Sequence, residues 1–308
     1  MTNYLLRRLV LLVPSLLVIF TITFFVMHAT PGGPWDRSER PLPQATIEAL
    51  NAKYGLDQPL WRQYLRFLGQ VVRGDLGASY SRYGQDVSTI LRSFFPISLQ
   101  LGVVAMLMAL GAGLGLGLVG AMRHNSALDY LSSFVAIVGV STPNYVVAAL
   151  LIVLLAVRLG WLPTGGWDGI SSRLVLIPAF ALSLRPMALI ARYTRSSVLD
   201  VLGRDYVRTA RAKGLSERAV LMRHALRNAL IPVSTVAGIA FADVVTGSFF
   251  VESVCRVPGI GRYFVTSVAA RDYPVIMGTT LLYAALVMLM NLVVDVGYIF
   301  LDPRVRYD

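Results

Sequence analysis

Residues 205–232 read Asp205-Tyr206-Val207-Arg208-Thr209-Ala210-Arg211-Ala212-Lys213-Gly214-Leu215-Ser216-Glu217-Arg218-Ala219-Val220-Leu221-Met222-Arg223-His224-Ala225-Leu226-Arg227-Asn228-Ala229-Leu230-Ile231-Pro232. Asp205 through Lys213 can form one helix. An acidic residue opens it and Arg211 and Lys213 close it, as the helix dipole favours. Gly214 supplies a C-terminal stop, because glycine enters the left-handed region at no steric cost. Ser216 is suited to cap a second helix. Two short helices with a bend between them make a protruding knob. A merely solvated loop would not need Ala210, Ala212, Leu215 and the bend.

On either side of this stretch the chain is apolar. Of 308 residues 56% are hydrophobic and only 15% charged, with a mean hydropathy of +0.63. A soluble domain is about 25% charged and 45–50% apolar, so a soluble enzyme is excluded. A helix crossing a bilayer needs about 20 mostly apolar residues. Six such runs occur, at about 9–28, 96–122, 129–157, 174–191, 230–251 and 275–301. Helices satisfy their own backbone polar groups in lipid, so the expected fold is an all-α membrane protein with six transmembrane helices. Arg7 and Arg8 precede the first run as in a signal peptide, but Met27-His28-Ala29 is a poor cleavage site and the run is long. A retained first span is expected.

The net charge of +11 follows topology. Between spans four and five lie Arg192, Arg195, Arg204, Arg208, Arg211, Lys213, Arg218, Arg223 and Arg227, opposed only by Asp200, Asp205 and Glu217. Arg7 and Arg8, Arg123, and Arg304 and Arg306 mark the other short basic segments. Six spans put all of these on one side, and positive loops stay in the cytoplasm. Both termini and the 192–229 segment are therefore expected to be cytoplasmic, and nucleic-acid binding is not expected. The other side receives 29–95, 158–173 and 252–273. Residues 29–95 open with Thr30-Pro31-Gly32-Gly33-Pro34 and carry apolar residues at helical spacing (Ile47, Leu50, Tyr54; Leu60, Tyr64, Phe67, Leu68, Val71). This reads as a helical extracytoplasmic insert between helices 1 and 2.

Residues 115–120, Gly115-Leu116-Gly117-Leu118-Val119-Gly120, formally match G-x-G-x-x-G. They sit inside an apolar run with no preceding strand, so the dinucleotide reading fails. Gly111/Gly115 and Gly113/Gly117 instead have the spacing that lets helix backbones approach in lipid. The sequence holds no P-loop motif. A single cysteine (Cys255) and three dispersed histidines (28, 124, 224) give no metal site, and none is expected. Two charges interrupt the spans: Arg185 in the fourth and Asp243 in the fifth. Each costs about 2.5–3.5 kcal/mol at a helix centre, so neither should face lipid. Either they pair with each other across adjacent helices or they line the passage and meet charged cargo. Asn291 and Asp295, four residues apart on one face, are further pore candidates and read mainly as interhelical hydrogen-bonding groups. Cys255 reads as an outer-loop bystander and His28 as an interfacial residue.

Arg208-Thr209-Ala210 before Arg211-Ala212-Lys213-Gly214 resembles the E-A-A, three residues, Gly pattern in the cytoplasmic loop of bacterial ABC-importer permeases. More closely, 209–216 (T-A-R-A-K-G-L-S) with 223–232 (R-H-A-L-R-N-A-L-I-P) is similar to the dipeptide/oligopeptide permease family. The resemblance extends over nearly the whole chain. It includes Tyr4 to Arg8, Pro31-Gly32-Gly33-Pro34, Gly55-Leu56-Asp57-Gln58-Pro59-Leu60 and Arg73-Gly74-Asp75-Leu76-Gly77. It continues with Val257-Pro258-Gly259-Ile260-Gly261, Arg271-Asp272-Tyr273-Pro274-Val275, Asn291 to Asp295 and Leu301 to Tyr307. Three departures stand out. The family usually has an acidic residue where Gly33 stands, and the general I-x-L-P ending falls on His224-Ala225-Leu226-Arg227, with the nearest proline at Pro232. The family is also usually apolar at the positions of Arg185 and Asp243.

The resemblance implies a type I ABC-importer permease fold and a multi-pass protein of the bacterial plasma (inner) membrane. It implies a transport subunit, not an enzyme, which carries short peptides with a second homologous permease, two ATP-binding subunits and an extracytoplasmic solute-binding protein. ATP and magnesium would be bound by the partner subunits, with no cofactor in this chain. Related permeases carry nickel chelates, glutathione or oligosaccharides, and those cargoes stay open. A secondary transporter would show paired broken-helix repeats, and none is visible. Asp205, Arg208, Thr209, Ala210, Arg211, Ala212, Lys213, Gly214, Leu215 and Ser216 are the implied ATPase-coupling residues, with Ala210, Lys213, Gly214 and Leu215 the expected contacts.

Overall fold

A computed structural model describes residues 2–35, 43–246 and 248–301. Arg304, Arg306 and the 302–307 motif residues lie outside them. The described residues are helical, with no strand beyond one isolated bridge between Ala78 and Asp86. Five helices are long and apolar enough to cross a membrane, or six if one pair bent at a break is counted as a single span.

The first span is α1 (Thr2–Ala29). Two insert helices follow, α2 (Gln44–Tyr54) and α3 (Leu60–Val72). Then comes α4 (Val87–Met122), 36 residues long and so about 54 Å. It begins well before the apolar window opens at Pro96. The proline is tolerated inside it, and the extra turns stand clear of a hydrocarbon core about 30 Å thick. There Val87 and Ile90 pack with Ile260 and Val275.

The third apolar run is not a straight span. It comprises α5 (Ala127–Ser141) and α6 (Asn144–Leu151), the latter continuing as a π-helical segment through Ile152–Arg158. The two halves are bent by 105°. The break falls at Thr142-Pro143, where proline removes a donor and steers the preceding residue out of the helical region; Thr142 is extended (φ −94°, ψ 127°). The pair still crosses the bundle. It enters where Asp129 meets Arg195, and it leaves at Gly166, whose amide donates to the Cys255 carbonyl (2.9 Å).

Helix α7 (Leu176–Leu202) runs past Ala191 and carries Arg192 and Arg195 on its last turns. A short helix, α8 (Asp205–Ala212), and a single turn, α9 (Glu217–Ala219), follow; a π-helical segment (Val220–Ala225) joins the turn to α10 (Leu226–Thr246). The second helix of the knob is thus the root of the fifth span, which starts before residue 230. Beyond Thr246 come α11 (Phe249–Val254), α12 (Ile260–Ala270) and α13 (Tyr273–Leu301). Arg8 contacts Asp295 (3.0 Å) and Gly238 abuts Val294. The start of α1 and the end of α13 therefore share the end of the bundle that carries α8.

Helix α4 lies along α7 through glycines. A Cβ on Gly113 would meet Met187 O at 2.7 Å, and one on Gly117 would meet Ala191 O at 2.6 Å. Gly111 and Gly115 face open space, so only one of the two small-residue stripes makes the contact. Gly117→Ala is expected to destabilise the protein by about 1–3 kcal/mol through overpacking, and Gly115→Ala to be near neutral. Thermal unfolding of the detergent-solubilised variants checks this.

At the other end, α3 lays Tyr64, Phe67, Leu68 and Val71 on Phe20, Phe24, Met27 and Met277, so the insert packs on α1 and α13. His28 stacks on Phe24 (4.1 Å between centroids). Two buried carboxylates tie this end together. Glu252 accepts from Ser98 Oγ (2.6 Å), Ser248 Oγ (2.5 Å) and the Gly261 amide (2.9 Å), joining α4, α11 and α12. Asp272 holds the 79–81 turn of the insert. Cys255 is not in an open loop: it is 1% exposed, and burial pushes its thiol up to about 11. Thiolate is the reactive form, so maleimide should label native Cys255 roughly a hundredfold more slowly than the unfolded chain. A stopped-time labelling series tests this.

Candidate functional site

The knob is built from local chemistry. In α8 the apolar positions Val207 and Ala210 are three apart and therefore share a face. They bury against Val198, Val201, Val220, Leu221, Ala121 and Ala229. Asp205, Tyr206, Arg208, Thr209, Arg211 and Ala212 face solvent. Thr209 Oγ1 donates back to Asp205 O (3.0 Å) and Arg208 pairs with Asp205 (3.3 Å).

Gly214 ends the helix with φ +78°, and its amide donates to Arg211 O (2.9 Å) while Leu215 N reaches Ala210 O (3.4 Å). Ser216 Oγ then accepts from Ala219 N (3.4 Å). The bend is closed by a contact that helical spacing does not foretell. Arg211 donates through Nε and Nη2 to both oxygens of Glu217 (2.8 and 3.1 Å), and this holds the Glu217 carboxyl below its usual range. Lys213, Gly214, Leu215 and Ser216 form the exposed tip, with Leu215 37% exposed. Ala210, expected among the contacts, turns inward at 5% exposure. Its small side chain seats α8 against the spans instead of presenting a surface.

A second clasp lies nearby. Arg195 donates to Asp129 through Nε (2.5 Å) and Nη2 (2.8 Å), and the Asn125 amide adds a third bond (3.0 Å). Asp129 is 2% exposed. This fixes the start of α5 to α7. Neither Glu217 nor Asp129 stands out in the sequence as more than a compensating charge.

Along the spans, Arg185 and Asp243 line one cavity of about 340 Å³ together with Asn144, Leu189, Ala240 and Phe249. Both are exposed in the isolated chain, and no ion pair joins them among the described residues. Asp295 contacts Arg8 of α1 (3.0 Å), so it bridges the first and last helices. Asn291 is exposed on α13, one turn before Asp295.

The sequence profile of the family described as "Binding-protein-dependent transport system inner membrane component" matches residues 113–307. Its N-terminal companion, "Binding-prot-dependent transport system membrane comp, N-term", matches residues 1–101. The chain belongs to this family. It is a multi-pass protein of the bacterial inner membrane and a transport permease.

Among curated relatives, the dipeptide transport system permease DppB of Bacillus subtilis is 43% identical over 99% of this chain and 98% of its own length. The oligopeptide transport system permease OppB of Escherichia coli is 41% identical over the full length of both chains; that of Haemophilus influenzae is 39% identical over the same extent. Among solved structures, the inward-facing MetNI methionine ABC transporter superposes with a TM-score of 0.59 at 19% identity, covering 69% of this chain and 96% of that one. An amino acid ABC transporter with histidines gives 0.51 at 19% identity, covering 71% and 95%. These likenesses place the permease in the all-helical type I ABC-importer fold.

Proposed function

We propose that this permease is one half of the gate of an ATP-driven importer of short peptides, working with a second permease, two ATP-binding subunits and an extracytoplasmic solute-binding protein. Both termini and the 192–229 segment lie in the cytoplasm, and the 29–95 insert faces outward. ATP and magnesium belong to the ATP-binding subunits, and this chain contributes no cofactor site. The observation that carries the reading is the knob: a short helix seated by Val207 and Ala210, stopped at Gly214 with φ +78° and clasped across its bend by Arg211 and Glu217. It stands at the same end of the bundle as the start of α1 and the end of α13. Basic flanks at that end match the positive-inside rule. The full-length similarity to permeases named for dipeptides and oligopeptides supports the cargo class.

In mechanism, closure of the ATP-binding subunits drives the two knobs together. The exposed tip, Lys213 to Ser216, receives the push. The α7–α10 packing under α8 passes it to the spans, and the passage switches between inward-facing and outward-facing states. Arg185 and Asp243 line that passage. The test is ATP-dependent uptake into proteoliposomes holding all partner subunits. Labelled di- and tripeptides should accumulate, whereas oligosaccharides, glutathione and nickel chelates should not; uptake of one of those instead would overturn the cargo.

A further inference from the structure

We propose that Arg185 and Asp243 form a two-ended recognition site for a free, zwitterionic short peptide, with Asp243 taking the N-terminal ammonium and Arg185 the C-terminal carboxylate. The proposal rests on the peptide reading above. Both residues sit on spans, yet both open into the same cavity of about 340 Å³, and no ion pair joins them among the described residues. An intramembrane charge marks a substrate path by default when it faces a cavity. Two opposite charges left apart in one cavity suit a ligand that carries both.

Their levels in the bundle set the ligand's length. A Cβ on Gly102 of α4 would meet Val245, and one on Gly113 would meet Met187 and Ile190. These two levels are about 16 Å apart along the helix. Asp243 lies two residues from the first contact and Arg185 two to five from the second, both towards the middle, so their backbones are offset by about 6–10 Å along the bundle. A peptide of two or three residues spans about 7–11 Å when extended. The cavity volume also falls at the small end of ligand pockets. Asp243 is nearer the insert-bearing end, so bound cargo lies with its ammonium towards that end and its carboxylate towards the knob. Leu182, Leu189, Ala240, Val244 and Phe249 give the cavity an apolar wall, with Asn144 and Thr246 as its uncharged polar groups. The two charged groups of the lining are thus matched to the peptide's two ends.

The test uses the assembled permease–ATPase complex in nanodiscs, with the solute-binding protein left out so that its own selectivity does not enter. Radiolabelled dialanine is displaced by dialanine, N-acetyl-dialanine or dialanine amide. The wild-type complex should prefer free dialanine at least tenfold over either blocked form. In Asp243→Asn the preference over the N-acetyl form should vanish while that over the amide persists. Arg185→Gln should do the reverse. Asp243→Glu and Arg185→Lys, which keep each charge, should retain both preferences. Wild-type complex that does not bind dialanine, or variants with unchanged ratios, would overturn the site while leaving importer function intact. Full importer that moves no peptide at all would instead defeat the cargo reading.

Discussion

Gly214→Pro should reduce ATP-driven uptake at least tenfold while the chain still inserts and assembles. Gly214 has φ +78°, and proline is locked near −65°. The substitution also removes the amide that donates to Arg211 O (2.9 Å). Any L-residue in the left-handed region costs about 1–2 kcal/mol, and proline is excluded from it altogether, so the turn must rebuild. The Arg211–Glu217 clasp then loses its geometry and the tip from Lys213 to Ser216 loses its fixed direction. Switching a two-state gate from 1:99 to 99:1 takes about 5.5 kcal/mol, and a softened lever transmits less of that. Nothing lies within 4 Å of a Cβ at Gly214, so Gly214→Ala isolates the backbone strain and should give an intermediate loss. Uptake and ATP hydrolysis measured on the same proteoliposomes decide it. The expected result is hydrolysis without accumulation, and unimpaired uptake in Gly214→Pro would refute a coupling role for the bend.

The helix–bend–helix knob was legible in the sequence because its determinants are local. An acidic start, a glycine stop and a serine cap specify a helix, a bend and a new helix within a dozen residues. The spans were legible because lipid demands long apolar runs. What escaped reading falls into two kinds. The first is structure hidden inside an apolar run: Pro143 breaks the third span by 105°, but the residues on both sides are equally apolar, so hydropathy registers one segment. The start of α4 at Val87 was lost likewise, since the turns before Pro96 are amphipathic and pack on α12 and α13. The second kind is long-range pairing. Ser79 and Asp272 are 193 positions apart, and Ser98 and Glu252 are 154 apart. No periodicity links such residues, and a buried carboxylate looks in sequence like any loop acid. Arg211 and Glu217 are six apart, a spacing that faces no partner on a continuous helix; they meet only because Gly214 turns the chain. Arg185 and Asp243 were visible as charges in apolar runs, whereas their shared cavity requires α7 and α10 to be adjacent.

The largest stability effect is expected from Asp272→Ala. Asp272 is fully buried and immediately precedes α13. Its Oδ2 accepts from Ser79 Oγ (2.5 Å), Ser81 Oγ (2.7 Å) and Ser81 N (3.0 Å), and its Oδ1 from Tyr80 N (3.1 Å) and Val275 N (3.5 Å). One carboxylate thus holds the insert's 79–81 turn to the first turn of the last span. Alanine strands these donors in a buried site. Each unsatisfied donor costs about 1–3 kcal/mol and the costs do not simply add, so the expected loss is about 3–5 kcal/mol. Asp272→Asn should cost less, about 1–2 kcal/mol. With its amide nitrogen at the Oδ2 position, the Ser79 and Ser81 hydroxyls can rotate to accept, and only the Ser81 amide is left facing a donor. The 73–86 segment should become protease-sensitive in the alanine variant before the spans unfold, because its tether is gone while α4 and α7 keep their packing. Arg82 gives a second, weaker hold, stacking on Tyr263 at 4.2 Å and donating to its hydroxyl at 3.0 Å. Thermal unfolding with limited proteolysis of wild type, Asp272→Asn and Asp272→Ala should therefore rank them in that order. Equal protection of the segment in all three would show that the carboxylate does not anchor the insert.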